Sequence, residues 1–293
     1  MLNRIFSILG AQWLIHQDTA ISYLPVLIAF TKGQDILLKP SEVPKPYIVG
    51  WSSPEEDIQT VKEYRLDDDD IPFNSVAVIP IDGVICSWDS VYYMNLIRQA
   101  ESNPRINSIL FVINSPGGMI SQIDVLANTI KGLSKPTVSV IAGLAASAAM
   151  WVISATNYRI ATSPMDTIGS IGVKTSIQDY SGMLEMNGIK ITDIYASLAT
   201  RKDEAVRTFL EKGETKLISD KLDFVNQVFH SAIQQNLNIA AESEVFTGAD
   251  YFAARAQELG LINEINTMNY ALTKAYSLGI TNKLIYQSKT INF

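Results

Sequence analysis

The sequence predicts an α/β domain built around a mostly parallel β-sheet. Three short apolar segments rich in β-branched residues, at 75–81, 108–113 and 137–142, predict buried strands. The segments between them, at 89–100 and 120–133, carry apolar residues at helical spacing. Strands that alternate with helices are joined by right-handed crossovers, so neighbouring strands run parallel. Ligands of such sheets bind at the carboxyl ends of the strands, and we therefore expect a site there.

Turn residues set the ends of these elements. Asp82-Gly83 closes the first strand, Asn103-Pro104 ends the first helix, and Pro136 directly precedes the third strand. Further along, the charged segment from Lys202 to about 235 predicts a long helix, and 248–260 predicts a shorter one. A final apolar segment after this shorter helix is expected to pair with the sheet.

We divide the chain into four regions. Residues 1–33 predict a helical N-terminal extension, because their apolar side chains recur at helical spacing. Residues 34–74 predict a linker, since prolines interrupt any periodicity and the four consecutive aspartates at 67–70 are more typical of a solvated segment than of a metal site. Residues 75–268 form the predicted folded domain, and 269–293 a C-terminal tail.

Composition narrows the class of function. The net charge of -7 and the lack of a Lys/Arg stripe argue against nucleic-acid binding. A hydrophobic content of 47% with 18% charged residues is ordinary for a soluble globular protein. The apolar stretch at 21–30 is about half of the roughly 20 residues that span a bilayer, so we expect no transmembrane anchor and a cytoplasmic location. No metal or other cofactor is expected.

A single hydroxyl stands in the otherwise apolar segment 143–151, that of Ser147. Such a serine alone would more often cap a buried helix. A nucleophilic serine needs a base and a site for the oxyanion. The loop Asn-Ser-Pro-Gly-Gly at 114–118 follows a predicted strand, and its glycines let backbone N–H groups approach a ligand. If Ser147 begins a helix, the N–H of Ala148 lies free beside the hydroxyl.

The residue types of the chain limit the choice of a base for this serine. The chain has only two histidines, His16 and His230, and neither lies near a motif. A lysine must therefore be considered, although its unperturbed pKa near about 10.4 would leave it charged at neutral pH. Burial in an apolar site lowers the pKa of a lysine by several units. Spacing alone leaves Lys174, Lys190 and Lys202 open as candidates.

With these motifs in this order, the chain resembles the signal peptide peptidase A family of serine proteases, whose fold is shared with the Clp protease subunit and the crotonases. The resemblance covers about 76–265. It rests on five segments, each weak alone: 114–118, 143–151, 169–173, the pair Lys202-Asp203, and 245–262. It implies layered parallel sheets with crossover helices, hydrolysis of protein or peptide substrates, and homo-oligomeric rings whose active sites are completed at subunit contacts.

The resemblance also implies roles for individual residues. Ser147 corresponds to the nucleophile, Lys202 to the general base, and Ser170 to a hydroxyl that orients the lysine. The oxyanion hole would consist of the N–H groups of Gly118 and Ala148. Three glycines would line an extended substrate bound by strand addition, namely Gly117, Gly169 and Gly172.

Within this resemblance, the expected lack of a membrane anchor favours the phage and prophage members, which process scaffold or capsid proteins. The alternatives are a signal-peptide-degrading peptidase, a crotonase-like acyl-thioester enzyme, and an inactive structural subunit. A homo-oligomer is expected, because the helical segment after Lys202 offers more leucine and valine than a single domain needs to bury, at Leu210, Leu217, Leu222 and Val225.

Overall fold

The computed structural model describes residues 13–15, 44–50, 62–177, 181–186, 188, 190 and 192–291. The strands are β1 (Trp13–Ile15), β2 (Tyr47–Gly50), β3 (Lys62–Tyr64), β4 (Ser75–Asp82), β5 (Ile106–Ser115), β6 (Gly117–Met119), β7 (Thr137–Ala146), β8 (Tyr158–Ala161), β9 (Thr167–Gly169), β10 (Asp250–Phe252) and β11 (Glu264–Ile265). The helices are α1 (Ser87–Ser102), α2 (Ile123–Lys131), α3 (Ala148–Ser154), α4 (Ser181–Met186), α5 (Glu204–Lys212), α6 (Lys216–Leu237), α7 (Ala253–Glu258) and α8 (Met268–Ile291). The predicted α/β class is confirmed.

In the part of the chain that the structure describes, the main sheet has nine strands, and those at its centre run parallel. Its order is β10-β9-β7-β5-β4-β2-β3, with β8 beside β7 and β11 beside β8. Strands β4, β5 and β7 run parallel, and β2 adds to β4 in the antiparallel sense. On the edge opposite β5, strand β7 pairs first with β8 and then with β9. Val138 lies opposite Tyr158 of β8, and Leu144 lies opposite Thr167 of β9. The end of β7, where Ser147 follows, therefore faces β9.

Helices cover both faces of this sheet. Because side chains alternate along a strand, Val76 and Val78 of β4 pack on one face and Ile79 on the other. The first face packs against Ala271, Leu272 and Ala275 of α8. The other face carries α1, α2, α3 and α6. On that side, the ring of Phe229 in α6 stacks on Trp151 of α3 at 4.8 Å, which fixes the serine-bearing helix against α6.

Two of the predicted region boundaries are wrong. Strands β2 and β3 lie in the segment 34–74 that was expected to be a linker, and both belong to the main sheet. They are only four and three residues long, so they show no periodicity in the sequence. The expected tail 269–293 is largely helix α8. Its buried residues at the sheet are Ala271, Leu272 and Ala275, only one of which is large and apolar, and the sequence pattern therefore did not reveal this contact.

The N-terminal extension also differs from its prediction where it is described. Residues 13–15 form strand β1 instead of a helix, paired antiparallel with β6. Trp and Ile have high β-propensity, and the partner strand lies about a hundred residues away in the chain. Local helical spacing could not reveal that partner. The remainder of the predicted helix lies outside the described residues.

The other predicted elements are present with adjusted bounds. Strand β7 continues four residues beyond its predicted end, to Ala146. The helix predicted from Lys202 is broken at Gly213, which has a φ of 73°, into α5 and α6. Within the described ranges, no helix combines the length and apolar content that crossing a membrane would require.

Candidate active site

Ser147 lies in a sharp turn between β7 and α3. The predicted helix start is confirmed, because α3 begins at Ala148 and its first ladder bond joins the Trp151 N–H to the Ser147 carbonyl at 3.1 Å. The backbone of Ser147 has φ 56° and ψ −116°, a conformation that costs a non-glycine residue on the order of 1–3 kcal/mol. Its N–H donates to the carbonyl of Gly169 at 2.8 Å, so strand β9 holds the turn in place.

The Ser147 side chain is 1% exposed and close to the segment after β9. Its hydroxyl donates to the carbonyl of Gly172 over 3.4 Å, a long and weak hydrogen bond. A carbonyl cannot take up the proton of the hydroxyl, so this contact orients the side chain without activating it. The N–H of Ala148 lies in the first turn of α3 and has no place in the helical ladder, which begins at Trp151.

The Gly-Gly loop forms strand β6, one edge of which is bound to Ile85. The Ile85 N–H donates to the Gly117 carbonyl at 2.9 Å, and the Met119 N–H donates to the Ile85 carbonyl at 2.8 Å. Because backbone groups alternate along a strand, the N–H and C=O of Gly118 point to the opposite edge. A Cβ on Gly118 would lie 1.8 Å from the Ile85 oxygen, which only glycine avoids. Gly117 has a φ of 98°, a second requirement for glycine.

The side chains of Asn114 and Ser115 fix the turn of the same loop. The Ser115 hydroxyl donates to the Gly83 carbonyl at 2.6 Å and accepts from the Gly117 N–H at 3.2 Å. The Asn114 amide donates to a carboxylate oxygen of Asp82 at 2.9 Å. These bonds tie the glycine loop to the end of β4, which gives the Gly118 N–H a fixed position.

Strand β9 and the residues after it form the opposite side of the turn. Gly169 has a φ of 129°, and a Cβ there would lie 2.8 Å from the Ala249 carbonyl oxygen. Ser170 has a φ of 52° and donates its N–H to that carbonyl at 2.7 Å. At Gly172 an added Cβ would meet only the Cα of Gly248, at the ordinary distance of 3.4 Å. Close backbone packing therefore explains Gly169, whereas Gly172 has room for a methyl group.

The three candidate lysines occupy different surroundings. Lys202 lies in an exposed turn just before α5, where its N–H donates to the Ala199 carbonyl at 3.1 Å. None of the contacts described for Lys202 reaches Ser147 or Ser170. Lys190 is also exposed, whereas Lys174 is half-buried two residues beyond Gly172. The single chain thus brings together the serines, the glycines and Ala148, but it does not bring Lys202 to them.

Asp166 is a buried residue of this site that the sequence analysis did not single out. One of its carboxylate oxygens accepts the Gly143 N–H at 2.9 Å. The other accepts the N–H groups of Thr162 and Ser163, at 2.7 and 2.9 Å, and the Thr162 hydroxyl at 3.1 Å. Gly143 lies in β7 four residues before Ser147, with a φ of 114°. Asp166 therefore anchors the strand that leads to the serine.

His230 lies closer to the site than its sequence position suggested. From α6, its ring contacts Phe246 at a centroid distance of 4.9 Å. Burial holds the pKa of His230 below its usual range, and a hydrogen bond with the backbone of Ile171 partly opposes this shift. Ile171 lies between Ser170 and Gly172. His230 thus connects α6 to the segment that borders Ser147, a link that only the tertiary fold creates.

The acidic side chains of the described part of the chain lie apart from one another or pair with nearby basic groups. No group of three or more His, Cys, Asp or Glu side chains there could hold an ion. In the aspartate run, Asp67 pairs with Arg65 at 3.0 Å and Asp68 accepts the Arg65 N–H at 2.7 Å. These carboxylates therefore stabilise a local turn at the protein surface through their contacts with Arg65.

The part of the chain that contains Ser147 matches a known protein family. The family model for peptidase family S49 matches residues 130–279, a range that contains Ser147, Ser170 and Lys202. The matched region starts after the Gly-Gly loop and ends within α8.

Individual proteins are similar over a larger part of the chain. A putative protease of Methanocaldococcus jannaschii is 30% identical over 65% of this chain and 62% of its own length. The capsid assembly protease C of Escherichia phage lambda is 26% identical over 68% of this chain and 48% of its own length. A putative signal peptide peptidase SppA of Enterococcus faecium is 30% identical over 61% and 53%. The chain thus spans about half to three fifths of the length of these relatives. Among solved structures, a mutant ClpP1 of Listeria monocytogenes gives a TM-score of 0.44 with 17% identity, covering 67% of this chain and 94% of that one.

Proposed function

The chain belongs to peptidase family S49, and from this membership we propose that it is a serine endopeptidase with Ser147 as its nucleophile. The observation that carries the proposal is the position of Ser147, buried in a strained turn between a strand and a helix. Strained non-glycine residues concentrate at functional sites, because a fold maintains such a backbone only when the surroundings enforce it. A serine that merely capped a helix would have no need of this conformation.

Two backbone N–H groups support the same reaction. The N–H of Gly118 points away from Ile85, and the N–H of Ala148 is outside the ladder of α3. We propose that both donate to the carbonyl oxygen of the substrate as it becomes an oxyanion. Loss of one such donor typically costs about 2.7–4 kcal/mol of transition-state stabilisation. Since both donors belong to the backbone, the reaction depends on their positions and not on the side chains nearby.

We propose Lys202 as the general base, oriented by the Ser170 hydroxyl. Only a desolvated lysine loses its proton near neutral pH, and Lys202 lies in an exposed turn of the single chain. To act as the base, Lys202 therefore has to be covered by a neighbouring chain. Helix α5, which follows directly, buries none of its own residues in the single chain. Its apolar Val206 and Leu210 are exposed, as is Phe224 of α6, at 68%. These side chains offer a surface for a second copy.

Lys174 is the alternative base, because it is half-buried close to Gly172 and would need no neighbour. The two possibilities differ in their dependence on concentration. With Lys202 as the base, dilution below the dissociation constant of the oligomer should abolish activity, and light scattering should show assemblies in active samples. Full activity of a monomer at nanomolar concentration would contradict the assembly-dependent site.

For the substrate, we propose a phage or prophage head protein such as a scaffold or capsid subunit, processed in the host cytoplasm. The likeness to the capsid assembly protease of phage lambda supports this choice. The likeness to a putative signal peptide peptidase supports a second substrate class, and direct cleavage assays separate the two. Membership of a peptidase family leaves the acyl-thioester alternative without support.

One experiment tests the nucleophile and the base together. Fluorophosphonate treatment followed by intact mass spectrometry should add one probe to the wild type and none to Ser147→Ala. Casein hydrolysis should fall at least about a thousandfold in Ser147→Ala and in Lys202→Ala, while Lys174→Ala retains most activity. The reverse order of the two lysine variants would assign the base to Lys174. An unlabelled, inactive wild type would instead indicate a structural subunit.

The rate should also depend on pH in the direction that a lysine base requires. Activity is expected to rise into the mildly alkaline range, as the lysine loses its proton and becomes able to accept that of Ser147. A profile that stays flat from acid to alkaline pH would count against either lysine. Circular dichroism at each pH controls for unfolding.

A further inference from the structure

Strand β1, from the N-terminal region, lies along the edge of β6 that the Gly118 N–H faces. Resting on the proposed function, we infer that the Leu14–Ile15 peptide bond is a substrate of the chain's own active site. The register in which β1 pairs with the glycine strand selects this bond.

The two edges of β6 have different partners. Ile85 bonds to the carbonyl of Gly117 and to the N–H of Met119, so both groups point to the same edge. The N–H and C=O of Gly118 therefore point to the other edge, where β1 runs antiparallel with Leu14 opposite Gly118. In an antiparallel ladder, two opposed residues that face each other in this way exchange two hydrogen bonds. The Gly118 N–H accordingly donates to the Leu14 carbonyl, and the Leu14 N–H donates to the Gly118 carbonyl.

This register selects one peptide bond. The carbonyl that binds an oxyanion donor is the one that the nucleophile attacks. With Gly118 as a donor, that carbonyl belongs to Leu14, and Ile15 supplies the leaving amine. The antiparallel direction places Trp13 beside Met119, on the acyl side of the bond, and Ile15 beside Gly117, on the amine side.

The reaction balances with water as the only co-reactant. Ser147 Oγ forms a bond to the Leu14 carbonyl carbon, and its proton passes through the base to the Ile15 nitrogen as the C–N bond breaks. Water then hydrolyses the Leu14 ester: its oxygen bonds to the Leu14 carbonyl carbon as the bond to Ser147 Oγ breaks, and one of its protons goes to Ser147 Oγ. The second proton passes to the Ile15 amine, so that Leu14 ends as a carboxylate and Ile15 as an ammonium group. The products are the peptide 1–14 and a chain that begins at Ile15. Since β1 pairs with β6 and not with the nine-stranded sheet, that sheet keeps all its strands.

Docking of β1 is tested first, in the uncleavable Ser147→Ala background, by hydrogen–deuterium exchange of peptides that contain Gly118. Leu14→Pro removes the N–H that bonds to Gly118. Trp13→Pro is the matched control, because the Trp13 N–H points away from β6 and proline is tolerated at such edge positions. We expect exchange at Gly118 to become at least about tenfold faster in the Leu14 variant and to change little in the control. Equal exchange in all three chains would overturn the docking.

Cleavage is tested in the chain with Ser147 intact, by intact mass spectrometry and N-terminal sequencing after incubation at high concentration. We expect a new N-terminus at Ile15, absent from both Ser147→Ala and Leu14→Pro. A chain that reacts with fluorophosphonate and protects Gly118 but stays uncut would overturn the self-cleavage. A cut at another bond would overturn the register. Protection of Gly118 in a chain that neither reacts with the probe nor hydrolyses casein would overturn the peptidase proposal and self-cleavage together while leaving the docking intact.

Discussion

Replacement of Gly118 by alanine tests whether the position of one backbone N–H governs catalysis. The new Cβ would lie 1.8 Å from the Ile85 oxygen and 2.6 Å from its carbonyl carbon. Ordinary contacts begin at about 3.4 Å, so either β6 or the Ile85 segment must shift by more than about 1 Å. Such a shift removes the donor from the oxyanion, which typically lowers kcat about 10²–10³-fold.

The same shift should weaken the fold only moderately. It strains the two hydrogen bonds between Ile85 and β6, each with a net contribution of about 1 kcal/mol. We therefore expect a loss of about 2 kcal/mol in the free energy of unfolding, or about 4–8 °C in the midpoint of thermal denaturation. Gly132→Ala is the control outside the site, because its Cβ meets nothing closer than 3.4 Å. It should retain kcat to within about threefold.

The assay measures kcat and KM on a quenched fluorescent peptide, with circular dichroism to establish that each variant is folded. The expected result is a loss of kcat in Gly118→Ala that far exceeds its loss of stability. A folded Gly118→Ala protein whose kcat lies within about threefold of the wild type would refute the assignment of this N–H as an oxyanion donor. Equal losses of kcat in the two glycine variants would show that the loss does not come from displacement of the Gly118 N–H.

Three further substitutions test the supports of the site. Asp166→Ala removes the acceptor of the part-buried Gly143, Thr162 and Ser163 N–H groups and should cost about 2–3 kcal/mol in urea unfolding, with a smaller loss in Asp166→Asn. Unchanged stability of Asp166→Ala would contradict its role as an anchor. Phe229→Ala removes the ring stacked on Trp151 and should cost about 3–5 kcal/mol, with a lower melting temperature as the readout. Because folding lowers the pKa of His230, its contribution to stability is complete above about pH 6.5 and is lost as pH falls below that value. His230→Phe should therefore lose less stability than the wild type between about pH 7 and pH 5.5, by under about 1 kcal/mol.

The parts of the fold that the sequence predicted correctly have local causes. Strands β4, β5 and β7 are continuous apolar runs, and α1 and α2 repeat their apolar residues at helical spacing, so each pattern determines its own element. The start of α3 at Ala148 follows from the same kind of pattern. These elements surround Ser147, and for this reason the proposed nucleophile and the glycine loop could be predicted together.

The parts that were missed depend on partners distant in the chain. Nothing near Trp13 indicates a pairing with Met119, and nothing near Asp166 shows that the Gly143 N–H needs an acceptor. Helix α8 is stabilised by the sheet face that it covers, and its own sequence has little amphipathic pattern. Lys202 presents the same problem between molecules, since the proposed surroundings of its side chain belong to another copy of the chain.

The strained turn at Ser147 places activity and stability in competition at a single residue. Its φ of 56° and ψ of −116° suit glycine, so Ser147→Gly should raise the free energy of unfolding by about 1 kcal/mol while it removes the nucleophile. Chemical denaturation of the two chains would measure this gain. Relaxed selection on catalysis would thus favour the glycine, because the fold benefits from the change that ends the chemistry. A single substitution at residue 147 would therefore exchange the proposed nucleophile for a more stable chain of the same fold.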